Sequence, residues 1–461
     1  MRSAGRWEVI FPVRSRRDYE SIYERKGESM LGGGNFTIQN KVFPGAYINF
    51  VNSISARASL GNRGVAAIPM ILSWGPEKQV FEVTSEEFQK KSKEIFGFTS
   101  DDEAMLPIRE LFKNMTKGIF YRLNGGAYSS NDYGTAKYSG ERGNSLMTLI
   151  SKNVDDGKKF DVRTLFDGRE VDSQTVAAVT ELKNNAYVIF KKEASLAETA
   201  GSSFTGGTNG SNVTGEDYAA FLQTIESTSF QVLCCPSTDD KVKALFAAFT
   251  KRLRDEAGIK FQTVLHQYAK ADHEGIISVE NETEETISGL VYWVAGAEAA
   301  CEINKTNENR VYDGEYTVKV PYSQTQLAGG MKEGKFLFHK VGKNIRVLTD
   351  INTLVTYTNE KGEDFSNNQT IRILDQIGND IASLFNTRYL GKISNDAAGR
   401  VSLWNDIVTY GKQLTVLRAI EALDSEAITV DKGEGRRSVV VNFPVQPVNC
   451  MSILYMTVVV S

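Results

Sequence analysis

Few residues in this chain are placed to do chemistry. Its three histidines are His266, His273 and His339. His266 lies in the apolar run FQTVLHQY and His339 in KFLFHKV, so both read as packed or half-exposed strand residues. His273 lies in KADHEG, a polar turn. A working site needs a base, an orienting partner and a group that stabilises developing charge, all converging on one place. Neither HExxH nor GxSxG occurs, so neither zinc-dependent proteolysis nor a nucleophile elbow is supported. The nearest approach to a phosphate loop is GGMKEGKF, residues 329–336. There Gly329, Gly334 and Lys335 keep the required spacing, but Phe336 stands where a hydroxyl would hold magnesium. The following LFHKVGKNIRVL has a strand pattern, so the lysine opens no helix whose N-terminus would face phosphate. The stretch reads as a turn before a hairpin.

The remaining candidates also read as structural. Asp101-Asp102 and Asp239-Asp240 precede helical patterns, where carboxylates offset the N-terminal dipole, and they lack metal-ligand spacing. Cys234, Cys235, Cys301 and Cys450 are too scattered for a zinc ribbon or a disulfide framework. All four are expected to be reduced core residues. No catalytic residue, cofactor or metal site is therefore expected.

The elements that would carry any site belong to a large folded protein. At 461 residues, a prior of about 150 residues per domain gives roughly three domains. Hydrophobic residues make up 41% and charged residues 24%, as in ordinary folded chains. A net charge of −4 argues against a protein that coats nucleic acid. No apolar run approaches the ~18 residues that would span a bilayer.

The first residues differ in texture. Residues 1–29 are arginine-rich and lack the apolar stretch of about 7–15 residues of a secretory signal. Lys26-Gly27-Glu28 can be encoded by a purine-rich ribosome-binding sequence just ahead of Met30. Residues 1–29 are thus expected to be a non-native upstream extension, with Met30 the natural start, and 30–62 an N-terminal arm and linker. From 63 to 135 strand and helix alternate, which is the α/β pattern; Thr84 or Ser85 should cap a helix that Gly97 ends. Residues 136–198 carry short strands and the turn signals Asp155-Asp156-Gly157 and Asp167-Gly168, predicting an inserted β domain. The polar, glycine-rich 199–217 is expected to be a flexible loop. The α/β alternation resumes over 218–350. Residues 351–461 read as an α+β C-terminal domain. VLTDINTLVTYT continues the strand-rich pattern before it, two amphipathic helices lie near 369–390 and 403–423, and the closing strands are AITV, SVVVNFPV and SILYMTVVV.

Several stretches resemble, in order, the contractile-tail sheath proteins of bacteriophages and phage-derived bacteriocins, in the form common to prophages of Gram-positive bacteria. They are VFPGAYINF, GVAAIPMILSWGPEKQVFEVTSEEF, AKYSGERGNSLMTLI, VLTDINTLVTYT, DFSNNQTIRILDQIGNDI, RYLGKISNDAAGR and the terminal VVVNFPVQPVNCMSILYMTVVV. The resemblance runs from about Gly32 to Val460. It leaves out residues 1–29 and the 199–217 loop.

That resemblance implies a non-enzymatic subunit that stacks as hexameric rings in a helical sheath around a tail tube. Baseplate and tail terminator proteins would be further partners, with no nucleic acid and no membrane insertion. The particle would be assembled in the bacterial cytoplasm and act as a virion tail or an extracellular tail-like body. It also implies a subtilisin-like α/β core without a catalytic triad, and terminal arms that complete neighbouring sheets by strand addition. Carried onto this chain, the strand donors would be Val42, Ala46, Tyr47, Ile48 and Phe50, with Ile453, Leu454, Tyr455, Met456, Val458 and Val460. The acceptors would be Ile428, Val430, Val439, Val440, Val441 and Phe443. Hinges would be Gly32, Gly33, Gly34, Ser53, Ser55 and Gly61, and one C-terminal helix would face the tube. A degenerate subtilisin-like enzyme and another tail or baseplate structural protein are the alternatives.

Overall fold

The core begins with strands that carry few charges. Val65–Met70 (β1) and Val80–Thr84 (β2) are followed by helices Ser85–Phe96 (α1) and Leu106–Phe112 (α2), then by Lys117–Arg122 (β3). The computed structural model describes residues 61–460. Thr84 caps α1: its hydroxyl accepts the Glu87 N–H at 3.2 Å while the Glu87 carboxylate accepts the Thr84 N–H at 3.0 Å, so two otherwise free donors are satisfied. Gly97 ends the helix at φ 81°, a conformation that suits a residue without Cβ.

The next strands are Gly134–Ala136 (β4), Leu146–Lys152 (β5), Phe160–Phe166 (β6), Arg169–Val176 (β7), Val188–Phe190 (β8) and Thr199–Ser203 (β9). They form an antiparallel sheet of order β7-β6-β5-β9 and a separate β4–β8 pair. Asp167 and Gly168 link β6 to β7 with φ of 54° and 71°, the turn handedness that matches strand twist. Alternate residues Leu146 and Ile150, with Val162 and Phe166, turn inward onto Trp74, Val188 and Phe204. The loop expected over 199–217 needs correction. Its first residues are the edge strand β9, paired with β5, and Phe204 is buried. Beyond it, Gly207 exchanges two hydrogen bonds with the Asn144 side-chain amide, at 2.8 and 2.9 Å. Backbone pairing needs no apolar side chain, so composition alone concealed this ordered strap.

The α/β core continues through Gly215–Ile225 (α3), Val232–Cys235 (β10), Asp240–Lys251 (α4), Gln262–His266 (β11), Ile276–Val279 (β12), Leu290–Ala300 (α5), Gln324–Lys332 (α6) and Lys335–Phe336 (β13). The sheet order is β13-β12-β11-β10-β1-β3-β2, parallel except for β2. One face, with Ala66, Ile68, Val232 and Cys234, packs on α1, α2 and α5. The other, with Ala67, Leu233 and Cys235, packs on α3 and α4. Adjacent Cys234 and Cys235 therefore enter opposite cores, as strand alternation requires. Gly329 and Gly330 belong to α6 and Lys335 to the last strand of the sheet, so GGMKEGKF forms no phosphate cradle.

A hairpin follows, Phe338–Val341 (β14) with Asn344–Val347 (β15). The strand pattern expected through residue 358 stops at Val347. Local side-chain bonds compete for the backbone there: Asn352 accepts the Leu354 N–H at 3.0 Å and Thr353 bonds the His273 backbone at 3.1 Å. The C-terminal domain then has Asn368–Leu384 (α7), Ala397–Val416 (α8) and the hairpin Thr429–Lys432 (β16) with Val439–Asn442 (β17). Asp396 caps α8 by accepting the Gly399 N–H at 2.7 Å, so this helix begins and ends earlier than the 403–423 expected.

Helix α7 is bolted to the core through charge. Buried Arg372 donates to Glu298 of α5, to Asp350 at 2.7 Å and to the Lys305 carbonyl at 3.1 Å. One helical turn on, Asp375 takes a two-pronged pair from Arg254 at 2.6 and 2.9 Å. Burial, with the Asp350 charge beside it, pushes the Glu298 carboxyl up to about 8. Burial would also raise Asp350, but the charge and hydrogen bonds of Arg372 outweigh it and hold that carboxyl at about 2. Glu298 is thus protonated in the fold at neutral pH, donating to the Asp350 carboxylate.

Two predictions follow from these contacts. A Cβ on Gly296 of α5 would lie 2.4 Å from the Leu111 carbonyl oxygen, so Gly296→Ala should cost about 1–3 kcal/mol in urea denaturation. Folding takes up a proton at Glu298, so its contribution is full below the unfolded carboxyl value of 4.5 and is lost as pH rises to about 8. Glu298→Gln, which mimics the protonated form, should flatten the fall in stability across that window; an unchanged slope would contradict the assignment.

Candidate subunit-coupling site

The histidines are placed for packing or ion pairing. His266 is buried on β11 with neither ring nitrogen hydrogen-bonded, and burial, then the Lys243 charge, lowers its pKa, keeping it neutral. His339 lies on the β14–β15 hairpin. His273 is buried, 3.1 Å from Asp255 and 3.6 Å from Glu274. These three groups approach one another closely enough to resemble a cation site. Protein cations already answer the carboxylates, however. Lys361 Nζ lies 2.9 Å from Glu274 and 3.7 Å from Asp255, and Arg254 lies 3.7 Å from Glu274. The cluster is an ion-pair network that extends the α7 junction. Cys234, Cys235 and Cys301 are buried, and burial raises each thiol pKa. Cys450, expected in the core, is exposed, because its chain segment lies on the surface rather than in a sheet.

The expected coupling residues fall into three groups. Val42, Ala46, Tyr47, Ile48 and Phe50, together with Gly32, Gly33, Gly34, Ser53 and Ser55, lie outside the described residues. The acceptor residues come together in one small unit. Ile428 is buried, and Val430, Val439 and Phe443 pack with it against α8 residues including Leu403 and Ile407. Val440 and Val441 of β17 are exposed. β16 and β17 pair only with each other among the described residues, which leaves an unpaired backbone edge on each side.

The third group is the terminal segment, and its expected strand does not form among the described residues. Residues 451–460 have no regular structure. Ile453 is 71%, Tyr455 90% and Val460 90% exposed, and Leu454, Met456 and Val458 are also exposed. A continuous apolar stretch of this kind marks an interaction site. A strand needs a hydrogen-bonding neighbour, and no described strand pairs with it.

The anchors of this segment were missed from sequence. Val448 N–H donates to the Ala419 carbonyl at 2.9 Å, Cys450 N–H to the Gln369 side chain at 3.0 Å, and Ser452 Oγ to Glu308 at 3.0 Å. Gly61, expected as a hinge, is also held. Its N–H faces the Asp380 carboxylate at 3.3 Å, so Gly61 itself is fixed to the body of the subunit. Both anchors use polar residues of α7, whose polar face the helical period alone assigns to solvent. The one available signal was the density of amides in NNQT and along the helix.

Among the described residues no helix is long and apolar enough to cross a membrane. Models of phage tail sheath protein domains match most of the chain. The domain III N-terminal region matches 63–123, the beta-sandwich domain 126–209, the central domain 211–353 and the C-terminal domain 360–461. The PBSX phage-like element protein XkdK of Bacillus subtilis is 35% identical, over 94% of this chain and 100% of that one. The crystal structure of the sheath tail protein of Desulfitobacterium hafniense is 35% identical with a TM-score of 0.76, covering 88% of this chain and 98% of that chain. The helical sheath of the anti-feeding prophage in its contracted state shares the fold at 13% identity, with a TM-score of 0.54 over 90% of this chain and 98% of that chain. With domain models spanning the described fold and a full-length relative at this identity, the chain belongs to the phage tail sheath protein family.

Proposed function

We propose that this sheath protein polymerises by strand exchange, each subunit adding residues 453–460 to the open β16–β17 hairpin of a neighbour. The observation that carries this reading is the exposed apolar segment, which among the described residues has no strand partner, beside a C-terminal hairpin whose two edges no other described strand occupies. Strand addition satisfies backbone donors and acceptors on both partners and covers exposed apolar side chains on both faces of the added strand, Ile453 and Tyr455 on one and Val458 and Val460 on the other. Val42–Phe50 would serve the other edge. Subunits stack as hexameric rings around a tail tube, bounded by baseplate and terminator proteins, in a virion tail or an extracellular tail-like particle. Contraction then reorients rigid subunits while the exchanged strands persist, drawing its free energy from enlarged subunit contacts rather than from a nucleotide. The parallel sheet covered by helices on both faces supports reading the core as a relative of the subtilisin-like fold that serves as scaffold.

Helix α8 is the better candidate for the tube-facing element. α7 exposes only Asn379, Ala382 and Ser383, whereas α8 presents Val401, Asn405, Thr409, Lys412 and Val416 along one exposed face.

Deleting Ile453–Ser461 should abolish cylinders in electron micrographs while leaving the melting temperature of the monomer unchanged; normal cylinders from that deletion would refute strand exchange. Replacing Val401 and Val416 together by Glu should leave sheath cylinders intact yet prevent recovery of tube protein inside them. Loss of the cylinders themselves would instead place this face between subunits.

A further inference from the structure

The two ends of the described chain converge on one helix. Near the C-terminal end of α7, both Asp380 oxygens accept from Gln376 Nε2 at 2.9 Å. One of them also accepts the Tyr410 hydroxyl at 2.8 Å. The remaining capacity of this carboxylate faces the Gly61 N–H, at 3.3 and 3.4 Å. The approach is close enough that a Cβ on Gly61 would stand 2.9 Å from Gln376 Nε2 and 3.0 Å from Asp380 Oδ1. Two residues on, Arg63 donates to the Glu298 and Cys301 carbonyls at 3.1 and 2.8 Å, tying the same entry point to the end of α5.

In the first turn of α7, Gln369 holds the other end. Its Nε2 donates to the Val448 carbonyl at 3.2 Å and its Oε1 accepts the Cys450 N–H at 3.0 Å. A side-chain amide that meets the carbonyl of one residue and the N–H of the residue two further on makes the contacts of a neighbouring parallel strand. Between them, Asn449 donates to Thr370 Oγ1 at 3.0 Å. Gln369 is buried, so leaving either of its groups unpaired would carry the cost of an unsatisfied buried amide. Positions 369 and 380 are roughly 16 Å apart along the helix at about 1.5 Å per residue.

We infer that Gln369 and Asp380 are positioning residues for subunit coupling: they fix where the two terminal segments leave the subunit, so that load from neighbours passes along α7. This rests on the strand-exchange reading above. A segment presented in one direction from a fixed point has a higher effective concentration at its acceptor than one that swings freely. The helix that receives the load is the one pinned to the core by Arg372 and Asp375.

The test compares full-length Gln369→Ala, Gln369→Glu and Gly61→Ala with the parent. Three quantities are read: melting temperature, the protein concentration at which cylinders first sediment, and hydrogen exchange over residues 446–456. Gln369→Ala should melt within a few degrees of the parent, exchange faster at 448–452, and need roughly tenfold more protein to polymerise, the scale of a lost hydrogen bond or two. Gln369→Glu keeps the acceptor for Cys450 but loses the donor to Val448, so it should fall between. Gly61→Ala should raise the polymerisation threshold without altering exchange at 448–452. Gln369→Ala that exchanges faster yet polymerises at the parent's threshold would overturn the inference, as would a threshold that rises only in step with a falling melting temperature. If Gln369→Ala fails to fold, Gln369→Glu and Gly61→Ala decide by the same criteria. Deletion of Ile453–Ser461 is the control: if it still polymerises, strand exchange itself is wrong, whereas if it does not and Gln369→Ala behaves as the parent, only the positioning role fails.

Discussion

A guanidinium with no access to water has to be matched by charge and hydrogen bonds from all sides. The two terminal nitrogens of Arg372 meet that demand with Asp350, Glu298 and the Lys305 carbonyl, drawing groups from the core and from the chain that joins the core to α7. Removing a partner from a buried pair of this kind costs about 3–5 kcal/mol, because it leaves a charge without an answer. The arrangement therefore fixes the orientation of α7 more than it adds net stability. Nearly everything tied to coupling hangs from that helix: the entry of the N-terminal chain at Gly61, the exit of the C-terminal chain at Val448–Cys450, and the packing of α8 and its hairpin through Ile373, Leu384 and Ile407.

A rigid body with an exposed apolar C-terminal segment suits a sheath subunit. The three-layer core, with Trp293 and Phe120 fully buried, has the dense interior that transmits force rather than yielding. The two buried histidines are taken up by the fold. His266 is held neutral by burial, and His273 is committed to carboxylates that also serve Lys361 and Arg254. The cost of the design is an exposed apolar terminus, which in an isolated chain invites association. In the strand-exchange proposal, polymerisation turns that liability into the bond between subunits.

Much of this was legible in the residues. The Thr84–Glu87 cap and the Asp167-Gly168 turn are each fixed by local chemistry, and each lies where its signal stands. Motif order also carried the family. What could not be read depends on partners distant in sequence. β9 is polar and glycine-rich, and becomes a strand only because β5 lies beside it. α7 looks amphipathic, but its polar face is buried because Arg254 and Asp350 supply matching charges and Glu298 a hydrogen bond. Gly61 looked like a hinge for its lack of a side chain, and that same lack lets it dock against Asp380. The apolar terminus illustrates the converse: its pattern says strand, and among the described residues no partner makes it one.

A helical reconstruction of the assembled sheath at side-chain resolution tests the central claim most directly. It should show residues 453–460 of each subunit as an added strand on the β16–β17 hairpin of a different subunit, leaving its own body where Gln369 holds Val448 and Cys450. Residues 453–460 folded back onto the hairpin of their own chain, or lying unpaired in the finished cylinder, would contradict it.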